Sequence, residues 1–203
     1  MASSISSLPD HQVNQYKIII TPSEDVAERI INIQKHFINK YQVVYKSVYR
    51  PQIILVSFKQ SQAHEEKIIN RLKMVGMGFH PLKIELKDFG SFPSHTLFIN
   101  VSAKNGIDEL IRKIKEQSQR LLKMDSENRP HFMNQPHLTV VRKLKHWQYE
   151  QGWLEFRHQH FTGTFVATKM MLLRKKAGDH NFIPIESFEF QNLPVETKQG
   201  KLF

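Results

Sequence analysis

The sequence predicts an α+β protein of two similar lobes, in which antiparallel sheets are flanked by helices. Two observations support this fold class. The order strand, helix, strand, helix, strand occurs twice along the 203 residues. The helical segments carry apolar residues at spacings of three and four, whereas the strands alternate or are apolar throughout. Such a repeat is typical of a duplicated fold with a cleft along a pseudo-two-fold axis.

The first half of the chain opens with an isoleucine-rich strand at residues 16–20. Ser23 then predicts a helix N-cap, and Glu24 and Asp25 favour the first helical turn because carboxylates interact well with the helix dipole. Three further elements complete this half: a strand around Gln52, a helix that ends near Gly76 and Gly78, and a half-exposed strand at residues 82–86.

The second half repeats this order, beginning with a strand at residues 96–101. Asn105 and Asp108 begin a helix, and an irregular segment at residues 125–135 leads into a strand at His137. The remaining elements are a helix at about 145–156 and strands near 161–166, 169–174 and 182–190. We therefore expect one two-lobed domain at residues 16–193, with flexible tails at 1–15 and 194–203.

The strand from Pro136 to Val141 carries the most specific motif of the chain. Because side chains alternate along a strand, His137 and Thr139 share one face while Leu138 faces the core. A neutral imidazole exchanges a proton near pH 7, and a hydroxyl donates a hydrogen bond to a phosphate oxygen. The pair therefore makes half of a general acid–base site for phosphate chemistry.

A second strand, Pro51 to Val56, has the same proline placement and apolar pattern. An offset of 85 residues separates Gln52 from His137, and the same offset separates Ile54 from Thr139. Gln52 has no proton to exchange near neutral pH, and Ile54 forms no hydrogen bond to phosphate. The paired strand therefore has the same pattern but lacks the proton-transfer and phosphate-binding groups.

These paired strands resemble the two-histidine phosphoesterase superfamily, which includes 2'-5' RNA ligase-like proteins and cyclic phosphodiesterases. That family carries one H-x-T/S motif in each of two related lobes. The order of strands and helices from Tyr16 to Phe190 also resembles that of the family. Residues 86–93 are similar to a strand and loop of the family. Arg142 stands where a basic residue often closes the second motif.

The resemblance implies that two histidines divide the acid and base roles across a 2',3'-cyclic phosphate or phosphodiester. It assigns catalytic roles to His137 and Thr139, and substrate binding to Gln52 and Arg142. Loss of one member of an acid–base pair costs on the order of 10²–10⁴ in rate. Efficient turnover by the usual route is therefore not expected.

Other histidines offer weaker substitutes for the missing one. His95 lies near the start of a strand, where a hydrogen-bonded histidine is commoner than one in a cleft. His160 begins an H-x-T sequence that lacks the preceding proline and runs into Gly163. His158 and His160 have H-x-H spacing, but no acidic residue or cysteine is placed to complete a metal site. A surface role is favoured for this pair.

The composition indicates an anionic partner. Lys and Arg number 29 against 19 Asp and Glu, which gives a formal charge of +10 and favours RNA or a nucleotide phosphate. Basic residues flank both motif strands, namely Lys46, Arg50 and Lys59 around the first and Arg142 and Lys143 after the second. The alternative is a solubilising surface charge without a partner.

Several other classes are excluded by what the sequence lacks. The chain contains no cysteine, which excludes disulfides and thiolate chemistry and fits a reducing compartment. The sequence shows neither a signal peptide nor an apolar run of membrane-spanning length. We therefore expect a cytoplasmic protein without membrane association, with a monomer favoured and with no metal and no cofactor.

Three functions remain open at this point. The first is a degenerate enzyme fold that binds an RNA end or a nucleotide phosphate with weak or no turnover. The second is an active cyclic phosphodiesterase or RNA ligase-like enzyme, in which Gln52 positions substrate and His137 works alone or with a non-standard partner. The third is a scaffold with a vestigial cleft. Two departures from the motif, at Gln52 and Ile54, favour the first and third functions. Because the His137–Thr139 pair is intact, the first function is favoured over the third.

Overall fold

The computed structural model describes residues 12–43 and 48–194, and this part contains nine strands, four α-helices and a short 3₁₀ helix (Gln62–His64). The strands are β1 (Val13–Ile20), β2 (Ile53–Ser61), β3 (Leu82–Phe92), β4 (Thr96–Val101), β5 (His131–Phe132), β6 (His137–Arg142), β7 (Thr162–Ala167), β8 (Lys169–Lys175) and β9 (Ile183–Glu189). The helices are α1 (Glu24–Tyr41), α2 (Glu65–Met77), α3 (Asn105–Leu122) and α4 (His146–Phe156). This content confirms the predicted α+β class.

All strand pairs of the described residues are antiparallel and belong to one sheet. The strand order is β7-β3-β4-β6-β2-β1-β8-β9, and the short β5 lies beside β2. The first lobe comprises β1, β2, β8 and β9, and the second comprises β3, β4, β6 and β7. The lobes meet where β2 pairs with β6, through Ile53 opposite Leu138.

The register of β2 and β6 supports the pseudo-two-fold axis. Ile53 and Leu138 are equivalent under the 85-residue offset, and they lie directly opposite each other. Both motif strands also carry a bulge at equivalent positions. The β1–β2 register skips Leu55, and the β4–β6 register skips Val140, which is again 85 residues later. Both the pairing and the irregularities of the sheet are therefore duplicated.

The four helices pack against the apolar face of the sheet. The apolar stripe of α3 (Ile107, Leu110, Ile111, Ile114 and Leu122) recurs at helical spacing and is buried. Helix α1 follows β1 of the first lobe in the chain but contacts β6 and β7 of the second. Helix α3 contacts β2 of the first lobe and β3 of the second, so these two helices link the lobes. No helix of the described ranges is long and apolar enough to cross a lipid bilayer.

Three boundaries differ from the sequence expectations. Strand β1 begins at Val13, so residues 13–15 belong to the sheet, because Asn14 and Gln15 pair with β2 and the Asn14 amide donates to Gln62. Strand β3 runs through the expected loop to Phe92, because Asp88 forms a bulge at φ 54° and its backbone donates to the carbonyl of Phe161. The segment 125–135 includes β5. Residues 1–11 and 195–203, expected as tails, lie outside the described residues.

Candidate functional site

The second motif lies on the sheet face opposite the helices. Along β6, the buried residues Leu138, Val140 and Val141 face the helix layer. His137 and Thr139 therefore point to the open face. The bulge at Val140 shifts the alternation by one residue, which also turns Arg142 to the open face. The hydroxyl of Tyr49 donates to the carbonyl of Val140 at this bulge over 3.1 Å.

The first motif faces the second across the lobe junction. Because Ile53 lies opposite Leu138, continuing the register by one residue puts Gln52 beside Thr139 and Ile54 beside His137. Directly opposed side chains in such a pair have Cβ atoms about 4.5–5.5 Å apart. Gln52 and Ile54 thus occupy the places at which a complete first motif would supply an imidazole and a hydroxyl.

The His137 ring is held in one orientation. Its Nδ1 lies 2.7 Å from the carbonyl oxygen of Gln135, which only accepts, so Nδ1 carries a proton. In the neutral ring, the lone pair is therefore on Nε2. The ring packs against Phe98 at 4.7 Å and Phe92 at 5.1 Å between centroids. Burial, partly offset by the Gln135 hydrogen bond, lowers the pKa of His137, which favours the neutral ring at pH 7.

The glycine at position 90 makes room for this packing. A Cβ at Gly90 would lie 2.5 Å from the Phe98 ring and 2.9 Å from Oδ1 of Asn100. Phe98 therefore lies against the bare backbone of β3 and reaches His137. Glycine is required here by close approach of a side chain rather than by backbone conformation.

A cavity of about 470 Å³ opens beside the motif strands. Thr139, Gln52 and Arg142 line it, whereas His137 is not among its lining residues and lies against the two phenylalanines. The complete lining is Lys17, Val48, Tyr49, Arg50, Gln52, Ile54, Thr139, Arg142, Leu173, His180, Asn181 and Phe182. Three of the four predicted site residues thus share one cavity.

A second cavity of about 580 Å³ continues the first, and the two share Lys17, Arg142, His180 and Phe182. Its further basic lining residues are Lys59, Arg129, His131, Lys143 and Lys175. Burial and the neighbouring charges of Arg142 and Lys175 lower the pKa of Lys17 to about 8. The cleft is therefore strongly electropositive along this end, which suits an anionic ligand.

The flanking basic residues differ in their surroundings. Arg50 lines the first cavity and forms an ion pair with Glu24 at 2.5 Å. Lys59 and Lys143 line the second cavity. The guanidinium of Arg142 lies over the Tyr49 ring at 5.4 Å. Lys46 lies outside the described residues.

The other histidines weighed from the sequence do not line these two cavities. His95 is exposed, with its Nδ1 2.6 Å from the Thr96 hydroxyl. His158 accepts a hydrogen bond from Arg157, and His160 contacts the carboxylate of Asp88 at 3.1 Å. Within the described ranges, no group of three or more acidic or histidine side chains could hold a metal ion.

Lys17, His180 and Phe182 line both cavities of the cleft, although no sequence motif includes them. Lys17 is the single charged residue between Tyr16 and Ile20. A charged residue inside an apolar strand could have identified this position from the sequence. His180 and Phe182 follow Gly178 in the loop between β8 and β9. Nothing in their local sequence indicates the cleft.

A family model described as the 2'-5' RNA ligase superfamily matches residues 32–179, which is well over half of the chain. The chain belongs to this superfamily. The resemblance found on the motif strands is thus confirmed at the level of the family. No curated protein sequence matches the chain.

Solved structures show the same fold at low sequence identity. E. coli LigT complexed with 3'-AMP has a TM-score of 0.67 at 14% identity, covering 88% of this chain and 99% of that one. TT0787 of Thermus thermophilus has a TM-score of 0.58 at 14% identity, covering 87% and 98%. Usb1 of Kluyveromyces marxianus has a TM-score of 0.52 at 8% identity, covering 85% and 98%. The chain therefore has a LigT-like two-lobed fold.

Proposed function

We propose that this superfamily member binds an RNA end or a nucleotide phosphate in the central cleft, with weak or no turnover. The observation that carries the proposal is the pairing of Ile53 with Leu138 at the lobe junction, where Gln52 and Thr139 line one cavity. The fold is complete around this junction, but one proton-transfer group is missing from it. Related structures hold phosphate-bearing ligands, since LigT has been crystallised with 3'-AMP, NADP+ and ATP.

Each residue of the cleft has a distinct role in this proposal. The Thr139 hydroxyl and the Gln52 amide donate hydrogen bonds to phosphate oxygens, and Arg142 supplies positive charge. His137 offers the lone pair of Nε2 as a proton acceptor. Cleavage of a phosphodiester or a cyclic phosphate needs a base for the attacking oxygen and an acid for the leaving oxygen. With one of these absent, the ligand is held but converted slowly.

A second candidate function is an active phosphodiesterase with an unusual partner for His137. The observation that favours it is His180, which lines the same cavity as Gln52 and Thr139. An imidazole at that position could protonate a leaving oxygen. The scaffold alternative requires that the electropositive cleft bind no phosphate at all.

Hydrolysis of 2',3'-cyclic AMP and of a 2',5'-linked diadenosine tests the choice between these functions. We expect little or no turnover by the wild type, and a gain in the double variant Gln52→His with Ile54→Thr. Wild-type turnover on the order of 1 s⁻¹ that is abolished by His137→Ala would contradict the proposal. Loss of that turnover in His180→Ala, but not in the surface control His95→Ala, would establish the second candidate.

Binding is tested with short RNAs that end in a 3'-phosphate, a 2',3'-cyclic phosphate or a hydroxyl. The affinity should fall with salt, with a log–log slope of about −0.7 per phosphate contact for single strands. His137→Ala should remove the preference for one end, whereas Arg142→Ala should weaken all three RNAs alike. Absence of binding at low salt would leave the scaffold alternative.

A further inference from the structure

Two lysines converge on one aromatic ring at the basic end of the cleft. The ammonium of Lys17 lies 4.2 Å from the centroid of Phe182, and that of Lys175 lies 5.6 Å from the same centroid. Lys17 alternates with the buried residues Tyr16 and Ile18, so it points to the open face. Strands β1 and β8 are neighbours, with Gln15 opposite Lys175, which brings the two lysines to one side of the sheet.

This arrangement is electrostatically unfavourable in the absence of an anion. Neither lysine forms an ion pair with a carboxylate of the described residues. Burial and the charges of Arg142 and Lys175 lower the pKa of Lys17 to about 8. The other titratable or charged residues lining this cavity are Tyr16, Lys59, Glu127, Arg129, His131, Arg142, Lys143 and His180, so Glu127 is the only carboxylate among its described lining residues. Perturbed, concave charge clusters of this kind are typical of ligand sites.

We propose that Lys17, Lys175 and Phe182 form a second phosphate site, which takes a terminal phosphomonoester of the ligand held at the Gln52–Thr139 centre. Arg142 lines both cavities and so connects the two sites. A phosphomonoester carries close to two negative charges at neutral pH, which matches two ammonium groups better than a diester does. The proposal rests on the proposed function, because it adds a second phosphate to the ligand of the same cleft.

Two dinucleotides that differ only in a 5'-phosphate test this site by isothermal titration calorimetry: ApAp and pApAp. The shared 3'-phosphate addresses the Gln52–Thr139 centre, and the 5'-phosphate addresses the lysines. We expect the wild type to bind pApAp on the order of tenfold more tightly than ApAp. Lys17→Gln with Lys175→Gln should reduce this ratio to about one. Lys35→Gln is the control, because it removes one charge from the helix layer.

Proton uptake gives a second readout that is specific to Lys17. At pH 8.5, a lysine with a pKa of about 8 is about one quarter protonated, and both probes are fully ionised. Binding of a phosphate dianion restores the charged form, so binding of pApAp should take up about 0.75 proton per complex. Titrations in two buffers of different ionisation enthalpy measure this uptake. Lys17→Arg should bind pApAp without it, because arginine stays protonated.

The outcomes separate this inference from the proposed function. If ApAp binds and the 5'-phosphate adds nothing, the second site is refuted while the central site stands. If the double lysine variant keeps the wild-type ratio, the 5'-phosphate is held elsewhere and the assignment is wrong. If Lys17→Gln binds pApAp as tightly as the wild type does, Lys17 is not a ligand-binding group. If neither dinucleotide binds at low salt, the proposed function itself fails.

Discussion

Gly90→Ala tests whether the aromatic packing around His137 controls its protonation. The added Cβ would lie 2.5 Å from Cε2 and 2.8 Å from Cζ of Phe98, closer than atoms of this kind approach in folded proteins. The backbone of Gly90 has no left-handed conformation, so the strain of the variant is steric only. Phe98 must move, and it is one of the two rings that cover His137.

Two opposing effects set the change in stability. Overpacking a well-filled site costs about 1–3 kcal/mol, and alanine is more favourable than glycine in a strand by roughly 0.5–1 kcal/mol. We therefore expect Gly90→Ala to lower the free energy of unfolding by about 1–2 kcal/mol. Displacement of Phe98 also admits water to the imidazole. Because burial is the main cause of its lowered pKa, the pKa of His137 should rise towards the ordinary value of histidine.

Urea denaturation measures the stability change, and an NMR titration of the histidine ring protons measures the pKa. Gly163→Ala in β7 is the matched control, because its nearest contact would be 3.3 Å from the Phe161 ring, which needs only a small adjustment. That control should change stability by no more than about 0.5 kcal/mol. Equal stability of the two variants, together with an unchanged His137 pKa in Gly90→Ala, would refute the reasoning.

Two further predictions concern ion pairs that fasten the helices. Burial tends to raise the pKa of Glu155, but hydrogen bonds from Lys40, Tyr41 and His36 outweigh it and lower the pKa to about 2. Glu155→Gln should therefore cost about 1–2 kcal/mol at pH 7, after allowance for solvent screening, and urea denaturation should show this difference disappearing as the pH falls from about 4.5 to about 2. Glu65 accepts two hydrogen bonds from Arg174, at 2.9 and 3.0 Å, and one from Tyr16. Glu65→Gln should cost about 2–3 kcal/mol and lower the pKa of Tyr16 from about 12, as an ultraviolet titration would show.

The sequence predicts the lobe junction well, because the two motifs that form it are recognised from residue spacing along single strands. The 85-residue offset between Gln52 and His137 anticipates the pairing of Ile53 with Leu138, and strand alternation anticipates which side chains share a face. The bulges at Leu55 and Val140 could not be predicted in the same way, because no residue type marks them. Arg142 lies on the open face because of the bulge at Val140. The expectation that Arg142 belongs to the site therefore came from the family resemblance and not from strand alternation.

The remainder of the site is built from segments that are distant in sequence. Lys17 comes from β1, Lys175 from β8 and Phe182 from the loop that follows, and only the sheet order brings them together. The position of His137 beside the cavity rather than in its lining also depends on Phe92 and Phe98, which belong to other strands. A pattern along one strand carries no information about such partners.

The two motif strands are related by the pseudo-two-fold axis but supply different side chains to the cleft. Under the 85-residue offset, Ser57 is the counterpart of Arg142, so the first motif strand lacks a cation at that position as well as an imidazole and a hydroxyl. Lys17 lies directly opposite Ser57 on the neighbouring strand and supplies positive charge to that side of the cleft. In the proposed function, the second lobe therefore supplies the imidazole, and the first lobe supplies positive charge for an anion. A duplicated catalytic centre that diverges in this way would retain affinity for phosphate after it loses the ability to turn the ligand over.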